Sequence, residues 1–124
     1  MKLIRSTIKT PELMRNPEAL QFACMDGKTG AMVGFLLLVK SNMLLLRNDR
    51  KVYEAKVYLY NCLDSEKQEI EVYRCIQTDP YFDRFDTIIE SVHKVDEERM
   101  RAHDKLGFKK TDIITKTSIY YRIK

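Results

Sequence analysis

The stretch from Phe85 to Phe108 constrains the fold more than any other part of the chain, because it combines a strand signal, a helix start and a helix stop. A short β-branched run, typical of a buried strand, comes first: Ile88, Ile89 and Val92. Asp96 suits an N-cap, and the carboxylates after it favour the positive end of a helix dipole. Gly107 stands where a helix ends in the left-handed conformation. The stretch therefore predicts a strand and then a helix from about Glu97 to Leu106. Val95 and Met100 have the spacing of a hydrophobic staple at its start.

The first thirty residues predict a strand, a helical region and a turn. A strand is expected over about Lys2 to Ile8, and Thr10-Pro11 starts a helix with proline at its first position. Asn16-Pro17 indicates either a kink in that helix or a turn before a second short helix. The apolar side of this helical region would comprise Leu13, Met14, Leu20 and Phe22.

A hairpin and a central strand are predicted next. The turn 26–30 joins two apolar segments, which favours an antiparallel pair. Its second arm, Ala31 to Lys40, is almost continuously apolar, as expected for a strand covered on both faces. Gly34 within it indicates a bulge or a close backbone approach. The apolar island 43–46 is compatible with a strand or a helical turn.

The middle of the chain predicts a strand, a helix and, later, a terminal strand. Residues 52–60 alternate, which places one set on the core face: Tyr53, Ala55, Val57 and Leu59. Ser65 and Gln68 have the spacing of a capping box for a helix over about 66–77. This helix is expected to be the right-handed crossover between the strand 52–60, which would lie centrally, and a parallel strand around Ile88–Val92. A terminal strand is expected over about Ile113 to Ile123. The element order is then β-α-β-β-β-α-β-α-β, an α/β fold in the broad sense, with a mixed sheet flanked by helices.

Length and composition predict one intracellular domain over residues 1–124. No secretory signal follows the first basic residues, and no apolar run is long enough to span a bilayer. The three cysteines are odd in number and lack metal-ligand spacing, so we expect free thiols, a reducing compartment and no metal site. The segment 109–124 holds five basic residues and one acidic residue, which accounts for the net charge of +4. This basic strand is either an edge strand protected by lysines or a nucleic-acid contact.

The closing residues Lys105-Leu106-Gly107-Phe108 resemble the end of the last strand–helix–strand unit of the GNAT (GCN5-related N-acetyltransferase) superfamily. Asp96 stands where that family often has Asn, and His103 where it often has a Tyr that protonates the departing thiolate. The run Gly-Ala-Met-Val-Gly-Phe at 30–35 is similar to the family's early hairpin. The resemblance covers mainly the last third of the chain. It implies a mixed sheet with flanking helices and, for an enzyme, acetyl-CoA as cofactor.

The resemblance also implies a loop that holds the pyrophosphate of coenzyme A, and this chain departs from it. The family uses glycine-containing backbone at a helix N-terminus, where amide groups and the helix dipole bind the anion. The corresponding loop here, 61–66, has no glycine and contains Asp64 and Glu66. We therefore expect no cofactor. If the chain is an enzyme, the resemblance assigns cofactor binding to Tyr60, Asn61, Cys62, Ser65 and Asp96, and catalysis to His103 and Glu54.

The expected function is that of a divergent GNAT-fold protein that serves as a catalytically silent binding or assembly module. In size and in its degenerate loop the chain resembles small GNAT-like proteins of tailed-phage particles, which would place it in the host cytoplasm or the virion. An acetyl-CoA-dependent N-acyltransferase with an atypical loop is the alternative. A protein partner or self-association is expected, nucleic acid is a further candidate through the basic terminal strand, and no membrane partner is expected.

Overall fold

The computed structural model describes residues 1–41, 52–60 and 63–124, and these form strands, α-helices and one short 3₁₀ helix. The strands are β1 (Lys2–Arg5), β2 (Leu20–Met25), β3 (Met32–Lys40), β4 (Val52–Leu59), β5 (Thr87–His93), β6 (Lys109–Ile114) and β7 (Ser118–Arg122). The helices are α1 (Pro11–Arg15), α2 (Ser65–Thr78), the 3₁₀ helix Pro80–Arg84 and α3 (Glu97–Lys105).

The described strands form one sheet in the order β1-β2-β3-β4-β5-β7-β6. β4 and β5 are parallel, and the other neighbouring pairs are antiparallel. Helix α2 connects the two parallel strands, as such a pair requires. The mixed α+β class is confirmed, and so is the predicted β4–α2–β5 unit.

The parallel strands pair over only part of their length. Their register runs from Val52 opposite Thr87 to Glu54 opposite Ile89. Beyond these residues β4 remains paired with β3, and β5 with β7. The two strands therefore separate toward their carboxyl ends. Because α2 follows β4 and α3 follows β5, the N-termini of both helices lie at the gap between the carboxyl ends of β4 and β5. We call this gap the open edge of the sheet.

The main core lies between the sheet and α2. The buried side of α2 comprises Val72, Tyr73 and Ile76. The predicted core face of β4 packs on this cluster: Tyr53, Ala55, Val57 and Leu59. Smaller clusters on the opposite face centre on Phe35 with Leu37 and on Val52 with Ile89. β3 is therefore covered on both faces, as its continuous apolar sequence predicts.

The helical region near the N-terminus is shorter than predicted. α1 ends at Arg15, a turn follows, and Leu20 and Phe22 belong to β2 rather than to a helix. β1 also ends earlier than Ile8, because buried Gln21 holds the segment after it. Its amide donates to the carbonyl of Ile8 at 2.8 Å and its oxygen accepts from the hydroxyl of Thr10.

The predicted terminal strand over Ile113 to Ile123 is wrong as a single element. It is the hairpin β6–β7, whose turn is stabilised by the amide of Ser118 donating to the Thr115 hydroxyl at 3.0 Å. Threonine and serine occur in strands and in turns, so composition alone does not reveal this break. β7 lies between β5 and β6, and β6 is the edge strand.

Two local predictions at α3 have different outcomes. Gly107 has a φ of +80°, which confirms the left-handed helix stop. The staple is wrong, because Val95 is 91% exposed and so does not pack on Met100. The predicted island 43–46 lies outside the described residues. No helix in the part of the chain that the structure describes is long and apolar enough to cross a membrane.

Candidate functional site

The N-terminus of α2 is capped by Asp64. Its carboxylate accepts a hydrogen bond from the backbone N–H of Lys67 at 3.0 Å, and Glu66 lies in the first turn. This corrects the predicted capping box, in which Ser65 was the cap; Ser65 is instead the first helical residue. Aspartate caps a helix as well as serine does, so the helix starts one residue earlier. One of the N–H groups that would bind an anion is thus already bound to a carboxylate of the chain itself.

The N-terminus of α3 has the same arrangement. Asp96 accepts from the backbone N–H of Arg99 at 3.1 Å, which confirms its prediction as N-cap. Glu97 and Glu98 fill the first turn. Both helix N-termini at the open edge of the sheet therefore carry negative side chains, which satisfy the helix dipoles and oppose a second anion.

A cavity of about 510 Å³ lies between α2 and α3. Three of the predicted site residues line it: Ser65, Asp96 and His103. Tyr60 is not among its lining residues, and Asn61 and Cys62 lie outside the described residues. The backbone N–H of Tyr60 donates to the carbonyl of Val33 at 2.8 Å, so this amide is engaged in the sheet. Cofactor binding by these residues stays a prediction.

His103 is buried, with 2% of its surface exposed, and both of its ring nitrogens have partners. Nε2 lies 2.7 Å from Oε1 of Glu90, and Nδ1 lies 3.0 Å from the backbone carbonyl oxygen of Arg99. Glu90 itself is 4% exposed. The imidazole is therefore fixed between β5 and its own helix, with both ring nitrogens engaged by protein atoms.

Tyr73, Arg99 and Glu69 complete this polar cluster. The Tyr73 hydroxyl lies 2.7 Å from Oε1 of Glu90 and also contacts Glu69. The Arg99 guanidinium lies 3.0 Å from Glu90 and also binds Glu69. The cluster thus joins α2, β5 and α3 through charged and hydrogen-bonded side chains.

Burial and neighbouring charges change the proton affinities of two members of the cluster. Burial raises the pKa of Tyr73 far above its usual value, and the Glu90 and Glu69 carboxylates raise it further. Burial alone would lower the pKa of Arg99, but Glu90 and Glu69 outweigh this and raise it. Tyr73 therefore remains a hydrogen-bond donor and Arg99 remains a cation.

Sequence reasoning missed four members of this cluster, although signals for them were present. Glu69 and Tyr73 are four residues apart on one helix, as are Arg99 and His103, so each pair shares a helix face. Glu90 is the charged residue within the β-branched run of β5. A carboxylate at a buried strand position requires a partner, and the two helical pairs supply it.

Glu54 lies on the other face of the sheet. It alternates with Ala55, which packs on the α2 side, and its carboxylate lies 3.8 Å from Nζ of Lys56. It also neighbours Tyr120, whose pKa is raised by burial and then by the Glu54 charge. The structure therefore does not bring together the two predicted catalytic residues, Glu54 and His103. Their catalytic roles stay predictions.

Comparison with known proteins relates the chain to solved structures. No protein-family model matches the sequence, and no curated protein matches it. The structure of FdhC, described as a nucleotide-linked sugar GNAT, is 19% identical with a TM-score of 0.58, and the match covers 90% of this chain and 60% of that one. The Campylobacter jejuni N-acetyltransferase PseH, solved with acetyl coenzyme A, is 13% identical with a TM-score of 0.57, covering 90% and 71%. This chain has the GNAT fold.

A third structure with the GNAT fold supports the same conclusion. The ribosomal-protein-S5-alanine acetyltransferase of Vibrio fischeri is 14% identical with a TM-score of 0.54, over 90% of this chain and 64% of that one. The resemblance drawn from the residues around Gly107 is therefore confirmed at the level of the fold. At such identities the GNAT fold is shared, while the chemistry of the site depends on the residues present.

Proposed function

We propose that this chain is a GNAT-fold binding or assembly module that does not transfer acetyl groups. The small GNAT-like proteins of tailed phages, which it resembles in size and in its degenerate loop, are the model for this role. The observation that carries the proposal is the N-terminus of α2, where Asp64 occupies the anion-binding end of the helix and Glu66 flanks it. A pyrophosphate there would have to displace the cap and face both carboxylates.

The magnitudes favour the absence of cofactor. A helix dipole stabilises an anion by about 0.3–1 kcal/mol. Even in bulk water, two like charges about 4 Å apart repel by about 1 kcal/mol, and a pyrophosphate would meet two carboxylates. The repulsion therefore cancels or exceeds the dipole term. The burial of His103 supports the same conclusion, because a general acid must reach the group that it protonates.

An acetyl-CoA-dependent N-acyltransferase is the second candidate. The GNAT fold favours it, as do the separation of β4 and β5 and the acetyl coenzyme A bound in the PseH structure. In this reading His103 would have to leave Glu90 before it could act as the acid. The two candidates differ in one measurable property, affinity for acetyl-CoA.

The experiment measures the melting temperature and the titration heat of the chain with millimolar acetyl-CoA and with CoA. We expect no stabilisation of the wild-type chain, whereas a ligand at a hundred times its Kd adds about 2.7 kcal/mol. The double variant Asp64→Ser, Glu66→Gln keeps a capping residue and removes both charges, so it should bind more tightly than the wild type. Glu71→Gln, on the same helix but away from its first turn, is the matched control.

Micromolar binding by the wild type that weakens in Ser65→Ala or His103→Gln would establish the enzyme reading and contradict the proposal. Unchanged binding in the double variant would show that the two carboxylates are not what excludes the cofactor.

Two exposed apolar side chains support a protein partner at the open edge. Leu63 is fully exposed and Val95 is 91% exposed, and each precedes the aspartate that caps the next helix. Large apolar side chains among carboxylates fit a partner surface that is both apolar and basic. Self-association through this edge would appear in sedimentation velocity as a concentration-dependent species that is lost in Leu63→Ser, Val95→Ser. A nucleic-acid role for the basic C-terminal residues stays a prediction.

A further inference from the structure

We propose that the cluster of Glu69, Tyr73, Glu90, Arg99 and His103 is a proton-controlled clasp that holds α3 against β5 and α2. Three of its members, Tyr73, Glu90 and His103, are buried. This inference does not depend on the binding role proposed above. It rests on the hydrogen-bond geometry of the cluster and on the composition of α3.

α3 has little apolar surface with which to pack. Its sequence is EERMRAHDK, and His103 is its buried residue. The side of α3 that faces the sheet is therefore held by a polar group. Removing the interactions of that group would leave mainly the partly buried Met100 and the adjoining Leu106 to hold the helix.

The hydrogen bonds of His103 require a proton at each ring nitrogen. Nδ1 lies next to a backbone carbonyl oxygen, which only accepts, so Nδ1 must donate. Nε2 lies 2.7 Å from Oε1 of Glu90, and a hydrogen bond there needs a proton on one of the two atoms. That oxygen also receives the Tyr73 hydroxyl at 2.7 Å and the Arg99 guanidinium at 3.0 Å. The Tyr73 hydroxyl has one proton and also contacts Glu69, whereas the Arg99 guanidinium donates to Oε1 of Glu90 as a cation. This charge-assisted hydrogen bond favours the ionised carboxylate, so the proton belongs to the imidazole.

The charges of the cluster balance only with that proton in place. Glu69 and Glu90 supply two negative charges, and Arg99 supplies one positive charge. The imidazolium of His103 supplies the second. The other groups that face the ring are uncharged: Tyr73 from α2, Phe108 after α3 and Tyr121 from β7, with ring centroids 5.6, 5.5 and 5.0 Å away. Loss of the proton would leave one uncompensated negative charge in a cluster whose Glu90 and His103 are buried, which is unfavourable.

The sign of the pH dependence follows from the protons bound in each state. A free imidazole, as in the unfolded chain, releases its proton near pH 6.5. Above that pH the folded chain holds one proton more than the unfolded chain at this cluster. The stability that the clasp contributes therefore decreases as pH rises. A difference of one whole proton lowers the folding equilibrium constant tenfold per pH unit.

The test is urea unfolding between pH 6 and pH 8 for the wild type, His103→Gln and His93→Gln. This range stays below the ionisation of free thiols near pH 8.5, because burial raises the pKa of Cys24 and Cys75 and their titration would add a slope of the same sign. His93 is the matched control, since it is the other histidine of the chain and lies exposed at the end of β5. We expect the folding constant to fall by up to tenfold per pH unit above pH 6.5 in the wild type and in His93→Gln, and to lose that dependence in His103→Gln. A wild type without this slope, or a slope removed by His93→Gln, would overturn the clasp.

A second measurement uses only the wild-type chain, so it does not depend on whether His103→Gln folds. The ¹⁵N shifts of the two imidazoles in the wild-type chain report their protonation directly. At pH 8 we expect the His103 ring to carry protons on both nitrogens. A singly protonated His103 ring at pH 8 would overturn the proposal even if His103→Gln fails to fold.

Discussion

At the scale of single residues, two glycines are required for different physical reasons. Gly34 lies where β3 and β4 approach closely, and a Cβ there would lie 2.1 Å from the carbonyl oxygen of Tyr58. The close backbone approach is therefore confirmed, and the predicted bulge is borne out beside it, because the register of β2 and β3 shifts between Gly34, opposite Cys24, and Met32, opposite Met25. Gly107 has open space around its Cβ position but a φ of +80°. Glycine is therefore required at position 107 by its backbone conformation, and not by a lack of space for a side chain.

We expect Gly107→Ala to lower the free energy of unfolding by about 1 kcal/mol, the cost of a Cβ in the left-handed region. Urea unfolding with circular dichroism measures this. Gly107→Asn is the control, because asparagine tolerates the left-handed conformation better, and it should cost less. Equal losses in the two variants would show that the conformation of this residue is not the cause.

At the scale of elements, the caps of α2 and α3 determine where each helix begins and which charge it presents. Both caps are aspartates that accept from the backbone N–H three residues later. Aspartate satisfies the helix terminus and adds a negative charge to it, whereas serine would satisfy it without charge. The open edge of the sheet is therefore acidic as a direct consequence of how its helices start.

Because Asp64 and not Ser65 caps α2, substitutions of these two neighbours should affect stability differently. Asp64→Ala should lower the free energy of unfolding by about 1 kcal/mol through loss of the cap, while Ser65→Ala should change it by less than about 0.5 kcal/mol. Chemical denaturation of both variants provides the comparison. A larger loss of stability in Ser65→Ala than in Asp64→Ala would show that Ser65 is the cap, as the predicted capping box requires.

At the scale of the whole molecule, stability should decrease from the centre of the sheet toward its edges. β3 is paired on both sides and contains three side chains with no exposed surface: Leu36, Leu37 and Leu38. β1 and β6 each have one neighbour in the sheet and are mostly exposed.

We therefore expect backbone amides of β3 to exchange with deuterium last, and those of β1 and β6 first. Hydrogen exchange followed by mass spectrometry or NMR gives this order. Equal exchange rates for the amides of β3 and β1 would contradict this prediction, because they would mean that the whole sheet opens as one unit.

The sequence by itself determined the elements whose signals lie within a few residues of one another. The Asp96 cap, the Gly107 stop, the hairpin after β2 and the alternation of β4 each arise from backbone and capping interactions of near neighbours. Together these signals also predicted the parallel β4–β5 pair, because a capped helix between two strands requires a crossover. The GNAT fold was predicted from the resemblance of Lys105-Leu106-Gly107-Phe108 and the strand–helix–strand unit that they close.

Only the tertiary structure decided what the candidate site contains. Glu69, Glu90 and His103 come from three elements, and their contact depends on how α2 and α3 pack on β5. The placement of Glu54 on the opposite face depends likewise on the register of β4 in the sheet. A buried charge is tolerated only where partners from distant parts of the chain converge, and that convergence is a property of packing rather than of local sequence.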